Sequence, residues 1–271
     1  EVMPKLLMAL DTGTVVSPIE GQDAVDPSFG MPAKWIQRGG RLDAEAAGYV
    51  VVEPTTVMAT HLMEALKRHA AELLGRQDVQ DLVEALEETY PALVEEVIPD
   101  KVPLGLLHRV LQRLLKEGVP VRDLVTILET LADAAEHTRD PESLTEQVRR
   151  ALAPVIGDLY ADGDGEVRGI TIGPSLEAAL MSFFSPGSKS TPPKLLEPDT
   201  LTRLLAHLQK LSRPSDSEGR PIPVITPPGL RVGIRRLVEP VMPSLPVVSL
   251  AELPTQANIR SVGIWEMTDA T

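Results

Sequence analysis

The stretch from residue 76 to 155 constrains the fold most, because its apolar residues recur at helical spacing while helix breakers arrive at short intervals. Val79, Leu82, Val83 and Leu86 form one stripe, and Leu106, Leu107, Val110, Leu111, Leu114 and Leu115 another. This is the i, i+3, i+4 pattern of helices that bury one face. Pro91, Pro99, Gly118 and Pro120 end successive segments, and such short connections make consecutive helices pack as antiparallel or angled neighbours. Asp140 before Pro141 is an N-cap followed by proline at the first helical position, and it opens a helix carrying Leu144, Val148 and Leu152. Residues 76–155 therefore read as an all-α helical subdomain.

The flanks have a different grain. Residues 1–53 carry the short apolar runs LLMAL, TVV and YVVV between Gly13, Pro18, Gly21, Pro27, Gly30, Pro32, Gly39 and Gly40, the pattern of a small β-rich module. Pro54, Thr55 and Thr56 then give a start signal, and Met58, Leu62, Ala65, Leu66, His69 and Leu73 share one side of a helix that stops near Gly75, so residues 54–75 are a helical connector. Beyond Tyr160, ADGDGE is turn chemistry before the strand VRGITI, and SPGSKSTPPK from Ser185 to Lys194 is a flexible loop by composition. A helix at 199–211, the strand PIPVIT, a helix from Gly229 to about Val238, and the strands LPVVSL and IRSVGIW follow. Strands alternating with helices make residues 156–271 a C-terminal α/β subdomain. The expected fold class is α+β, built from several subdomains.

A chain of 271 residues is long enough for two or three compact units. With only eight aromatic residues, their cores must be aliphatic. Of the net charge of −13, eight units lie between residues 61 and 160; an acidic middle with little stacking surface argues against nucleic-acid binding. Arg231, Arg235 and Arg236 are the one compact basic cluster, read here as a solvated helix face rather than a binding patch. The absence of cysteine removes disulfides, zinc ribbons and thiol catalysis. No run approaches the roughly 18 to 20 apolar residues of a membrane helix, since VMPSLPVVSLAELP is cut by prolines. The chain as it stands is expected to be soluble and, beginning at Glu1, to be a piece of a longer protein.

Sites of chemistry are sparse. His61, His69, His108, His137 and His207 never fall at the i, i+4 spacing that sets two imidazoles on one helical face for a metal. Asp162, Asp164 and Glu166 match three positions of a calcium loop, but position 173, where its bidentate glutamate belongs, is glycine; a plain turn is expected. No phosphate loop, dinucleotide fingerprint or nucleophile elbow occurs. The acid pairs Glu87–Glu88 and Glu95–Glu96 are expected to solvate outer helix faces. No catalytic residue, metal or cofactor is expected, and the chain is read as a non-enzyme.

Four ordered matches carry a resemblance: GYVVVEPTTVMATHL at 48–62, KRHAAELLGRQDVQDLVEAL at 67–86, YPALVEEVIP at 90–99 and GVPVRDLVTILETLAD at 118–133, with PVITPPGLRVGIRRLVEPVMPSLPVVSLAELP at 223–254 closing the chain. In these segments the sequence resembles the export gate of type III secretion systems, on the flagellar rather than the injectisome side. The resemblance implies the cytoplasmic part of an inner-membrane protein whose membrane-embedded amino-terminal half is absent here. It also implies a ring of nine copies beneath the export channel, contacts with other export apparatus proteins, and four subdomains with the second inserted in the first. On that scheme residues 1–53 are the inserted subdomain and 54–75 the remainder of the first.

The resemblance further implies docking of export chaperone–substrate complexes in a hydrophobic dimple. The matching positions are Asp26, Phe29 and Thr60, with Val16, Val52 and Val57 as apolar lining. Phe29 would be an aromatic anchor, Asp26 a hydrogen-bond acceptor or partner for a base on the chaperone, and Thr60 a polar rim. Arg122 and Asp123 also match, and are read as structural: Asp123 at the positive end of a helix dipole, Arg122 paired with an acid of the bundle. A virulence injectisome gate is the second reading. A hydrolase with a site assembled from distant acidic residues in the α/β part is the alternative of another class.

Overall fold

The computed structural model describes residues 3–184, 198–212 and 222–267; the loop expected at 185–194 lies outside them. The chain divides into two compact units between Leu73 and Leu74. The fold is α+β, with a small β-rich module, a helical subdomain and a C-terminal α/β subdomain.

The first unit is built on an antiparallel sheet in the order β2-β3-β1-β4, from β1 (Leu7–Leu10), β2 (Gln22–Val25), β3 (Pro32–Ile36) and β4 (Val50–Val52). Met8 lies opposite Trp35 on one side and Val52 on the other. Alternation along the strands splits the core. Leu7, Ala9, Ile36 and Val51 pack with Ala44 and Ala47 beside helix α1 (Arg41–Ala46), while Met8, Ala33 and Trp35 pack with Val57 of helix α2 (Pro54–Leu73).

The expected run TVV is not a strand. Its residues are held in a loop, where the Thr14 hydroxyl donates to the Gly48 carbonyl at 2.9 Å and the Val16 amide to the Ala47 carbonyl at 3.0 Å. The sheet instead takes in QDAV and PAKWI. Gly48 is needed for this closure, because its φ is +92° and a Cβ would stand 2.4 Å from the Thr14 oxygen.

Helix α2 starts at Pro54 as expected, but its apolar side does not find a core. A helix of 20 residues runs about 30 Å, whereas the strands beneath it have three to five residues. Only Pro54 and Val57 are buried, and Met58, Leu62, Leu66, His69 and Leu73 are exposed.

In the second unit, helices α3 (Arg76–Glu87), α4 (Pro91–Val97), α5 (Leu104–Lys116), α6 (Leu124–Ala134), α7 (Pro141–Ala151) and α8 (Ala153–Tyr160) surround an aliphatic core. Leu106, Leu107, Val110, Leu111 and Leu114 of the expected stripe are buried, whereas Leu82 is exposed. Asp140 caps α7 by accepting from the Ser143 amide at 2.9 Å, and Asp123 caps α6 by accepting from Thr126 at 3.1 Å. Arg122, expected to pair with an acid, is exposed and makes no ion pair among the described residues. The acids at 87, 88, 95 and 96 face solvent. His108 is a tie in the core wall, its Nε2 standing 2.8 Å from the Leu74 carbonyl oxygen.

The α/β part has a parallel sheet in the order β7-β6-β5-β8, from β5 (Glu166–Ile172), β6 (Val224–Thr226), β7 (Val247–Ser249) and β8 (Asn258–Trp265). Helices α9 (Pro174–Phe184), α10 (Pro198–Leu211) and α11 (Arg231–Val238) accompany it. Helix α9 had no counterpart in the sequence reading. Its first turn is capped from β8's end, where the Glu266 carboxylate accepts from the Leu176 amide at 2.8 Å. In the turn before β5, the Asp162 carboxylate accepts from the amides of Asp164 and Glu166. Among the described residues, no group of potential ligands is placed to hold a metal, and no helix is long and apolar enough to cross a membrane.

Candidate functional site

The β2–β3 connection is a turn built around Asp26. Its amide donates to the Met31 carbonyl at 2.8 Å, its carbonyl accepts from Gly30 at 2.9 Å, and its carboxylate accepts from the amides of Ser28 and Phe29 at 3.1 and 2.6 Å. Gly30 makes the return at a φ of +71°, a left-handed conformation that favours glycine. An aspartate that satisfies the amides two and three residues on is standard turn chemistry. The outcome is a division of labour: Asp26 is only 5% exposed, while Phe29 is 60% exposed. The ring is held outward by a turn whose Ser28 and Phe29 amides are satisfied by the Asp26 carboxylate.

The other sequence-derived positions fall into two places. Val52 and Val57 belong to one cluster with Met8 and Trp35, and Thr60, partly exposed, lies one turn beyond Val57 on α2. Val57 is buried and so shapes this region from below. Val16 is 82% exposed, its amide donates to the Ala47 carbonyl, and it is absent from the cluster that holds Val52 and Val57. It is not brought together with them. Val25, Met58 and Leu62 are large, exposed and apolar, yet were not singled out; Val25 directly precedes the turn, and Met58 and Leu62 flank Thr60 on α2.

The basic cluster corrects an expectation. Arg231 and Arg235 are buried, and Arg236 alone of the three is exposed. Arg231 donates to Glu117 at 2.6 Å and to both carboxylate oxygens of Glu146. Arg235 donates to the carbonyls of Leu245 and Pro243, both at 3.0 Å. Beside them Arg149, 2% exposed, is forked onto Glu252, 1% exposed, at 2.7 and 3.1 Å. Burial opposes ionisation of Glu117, but the charges of Arg149 and Arg231 outweigh it and hold that carboxyl below its usual range. Burial likewise disfavours the Arg149 guanidinium, and the Glu252 carboxylate outweighs it, raising the pKa. Glu252, the one buried carboxylate among the described residues of the α/β part, thus has its oxygens committed to Arg149 and to the Ser249 amide.

Comparison with known proteins points one way. The chain is 38% identical over 249 residues to the flagellar biosynthesis protein FlhA of Bacillus subtilis, covering 92% of this chain and 37% of the relative; it therefore spans little more than a third of that protein's length. A chain of the Chlamydia pneumoniae CdsV and CdsO protein complex superposes with a TM-score of 0.73 at 27% identity, over 85% of this chain and 67% of the other. Nonameric EPEC SctV-C shares the fold with a TM-score of 0.74 at 23% identity, over 97% and 78%. The model of the FHIPEP family matches residues 1–258, and the chain belongs to that family.

Proposed function

We propose that the chain is a cytoplasmic docking platform of a flagellar type III export gate, on the inner face of the bacterial inner membrane, receiving chaperone–substrate complexes and ordering their export. The observation that supports this most is Phe29, an exposed aromatic held outward by the Asp26 turn. An exposed aromatic on a hydrogen-bonded turn is the form an interface anchor takes. The docking region comprises Phe29, Val25 and the Met58–Leu62 face of α2, with Thr60 at its rim, Val52 and Val57 beneath, and Asp26 as a positioning residue. Within this scheme residues 1–53 act as the inserted subdomain, 54–75 as the rest of the first, 76–155 as the helical subdomain and 156–271 as the closing one. The fold shared with a nonameric neighbour supports assembly as a ring with further export apparatus proteins.

The flagellar branch is preferred because flagellar relatives reach 38% identity against 27% for the Chlamydia chain. Isothermal titration of the chain with a flagellar chaperone–cargo complex tests the reading, beside Phe29→Ala. Saturable binding, lost in the variant, is the expected result. Equal binding by the correctly folded variant removes Phe29 as the anchor; binding of an injectisome chaperone instead moves the platform to the other branch.

A further inference from the structure

We infer that the helical and α/β parts of the second unit move as a single body, locked by the buried Arg149–Glu117–Arg231–Glu252 cluster. The four residues come from four separate elements of the chain. Glu117 follows α5, Arg149 is on α7, Arg231 opens α11 and Glu252 ends the 3₁₀ turn Leu250–Glu252 after β7. The bonds span 103 residues for Arg149–Glu252 and 114 for Arg231–Glu117. A further pair, Arg149 Nη1 with Glu117 at 3.4 Å, closes the cluster. Around it, Lys116 pairs with Glu239 at 2.6 Å and Arg236 with Glu142, again joining α5 and α7 to the far part.

At the border near Pro154, α7 passes into α8 through the single residue Leu152, and packing holds the two parts together. Val167, Ile225, Val248 and Leu253 of the α/β part lie in the same core as Leu107, Leu128 and Val148 of the helices. Pro254 sits so close to Gly157 of α8 that a Cβ there would be 2.6 Å from its ring. Any rotation across the border would draw the guanidinium groups from their carboxylates inside a water-poor region. Leaving a buried charge without its partner is strongly unfavourable, whatever the intact pair contributes to net stability. The cluster therefore works by forbidding alternatives. A displacement imposed on the helical part passes undiminished to the α/β part.

The test uses the whole chain. It contains no cysteine, so cysteines placed at the exposed Ala85 on α3 and Gln209 on α10 take spin labels without interference. Pulsed dipolar spectroscopy is expected to give one narrow distance distribution in the parent. Glu252→Gln and the milder Glu117→Gln, which is nearer the surface and keeps the test alive if the first fails to fold, are expected to broaden it or add a second population. Leu131→Ala, a core truncation away from the cluster, is expected to leave it narrow. A broad or split distribution in the parent overturns the inference, as does a folded Glu117→Gln chain indistinguishable from the parent.

Discussion

Asp26 and Phe29 are three residues apart and have opposite environments, so their substitutions should separate folding from docking. Asp26→Ala strips two amides of their acceptor in a partly buried turn, and the expected cost is about 1 to 2 kcal/mol of first-unit stability. Asp26→Asn keeps an oxygen that can accept from both amides and should recover most of that loss. Phe29→Ala removes an exposed ring and should change stability by no more than about 0.5 kcal/mol. Urea denaturation of the three variants checks the set; an Asn variant as unstable as Ala would mean that charge, not turn geometry, is what the position supplies. The residues also show what a sequence can hide. Phe29 was legible only through the resemblance, since a phenylalanine after Asp-Pro-Ser is equally a buried turn residue. Arg231 and Arg235 were misread because three arginines in six positions look the same whether solvated or buried. The acidic partners of Arg231, Glu117 and Glu146, lie 114 and 85 residues away, so no local signal distinguishes the two cases.

Among elements, those that carry their own punctuation were legible: α7 with its Asp140 cap and proline, α6 after Asp123, and the four apolar strands of the parallel sheet. Helix α9 opens on Pro174 but has no local side-chain cap, because its cap arrives from Glu266, beyond β8. Glu266 accepts from the Leu176 amide at 2.8 Å and from Ser175 at 3.3 Å, and Gly173 leaves room for it, since a Cβ there would stand 1.9 Å from its carboxylate. A carboxylate at this end also complements the helix dipole. Glu266→Ala should cost about 1 kcal/mol and speed amide hydrogen exchange in the first turn of α9. Exchange there at the parent rate would show that the cap contributes nothing. Strands β2 and β3 escaped notice for another reason: QDAV is mostly exposed, so it lacks the apolar run that marks a strand, whereas TVV has such a run but is tied into a loop by Gly48 and Ala47. Helix α2 was recognised, and its apolar side correctly listed by spacing, yet periodicity says only that a face is apolar and not that this chain covers it.

For the whole molecule, the cores themselves indicate how it unfolds. The two clusters of the first unit draw only on residues before Leu73, and the two of the second only on residues after it. Separate cores make separate cooperative units, and a unit of about 70 residues buries a smaller fraction of its surface than a larger one and is more marginal. Heating or urea should therefore give two transitions, the first unit melting earlier. Nature has supplied one reporter for each. The two tryptophans are Trp35, buried against Met8 and Val57, and Trp265, buried against α10 with its indole N–H donating to the Leu204 carbonyl at 2.9 Å. Trp265→Phe leaves fluorescence that follows the first unit, and Trp35→Phe leaves fluorescence that follows the second. Gly48→Ala, which strains a left-handed residue and crowds the Thr14 carbonyl, should lower the midpoint seen by Trp35 alone. Glu252→Gln, which leaves Arg149 short of its principal partner, should lower only the midpoint seen by Trp265, by about 3 to 5 kcal/mol in stability. Coincident midpoints that shift together in both variants would show a single cooperative molecule, and the division at Leu73 would then have no thermodynamic meaning.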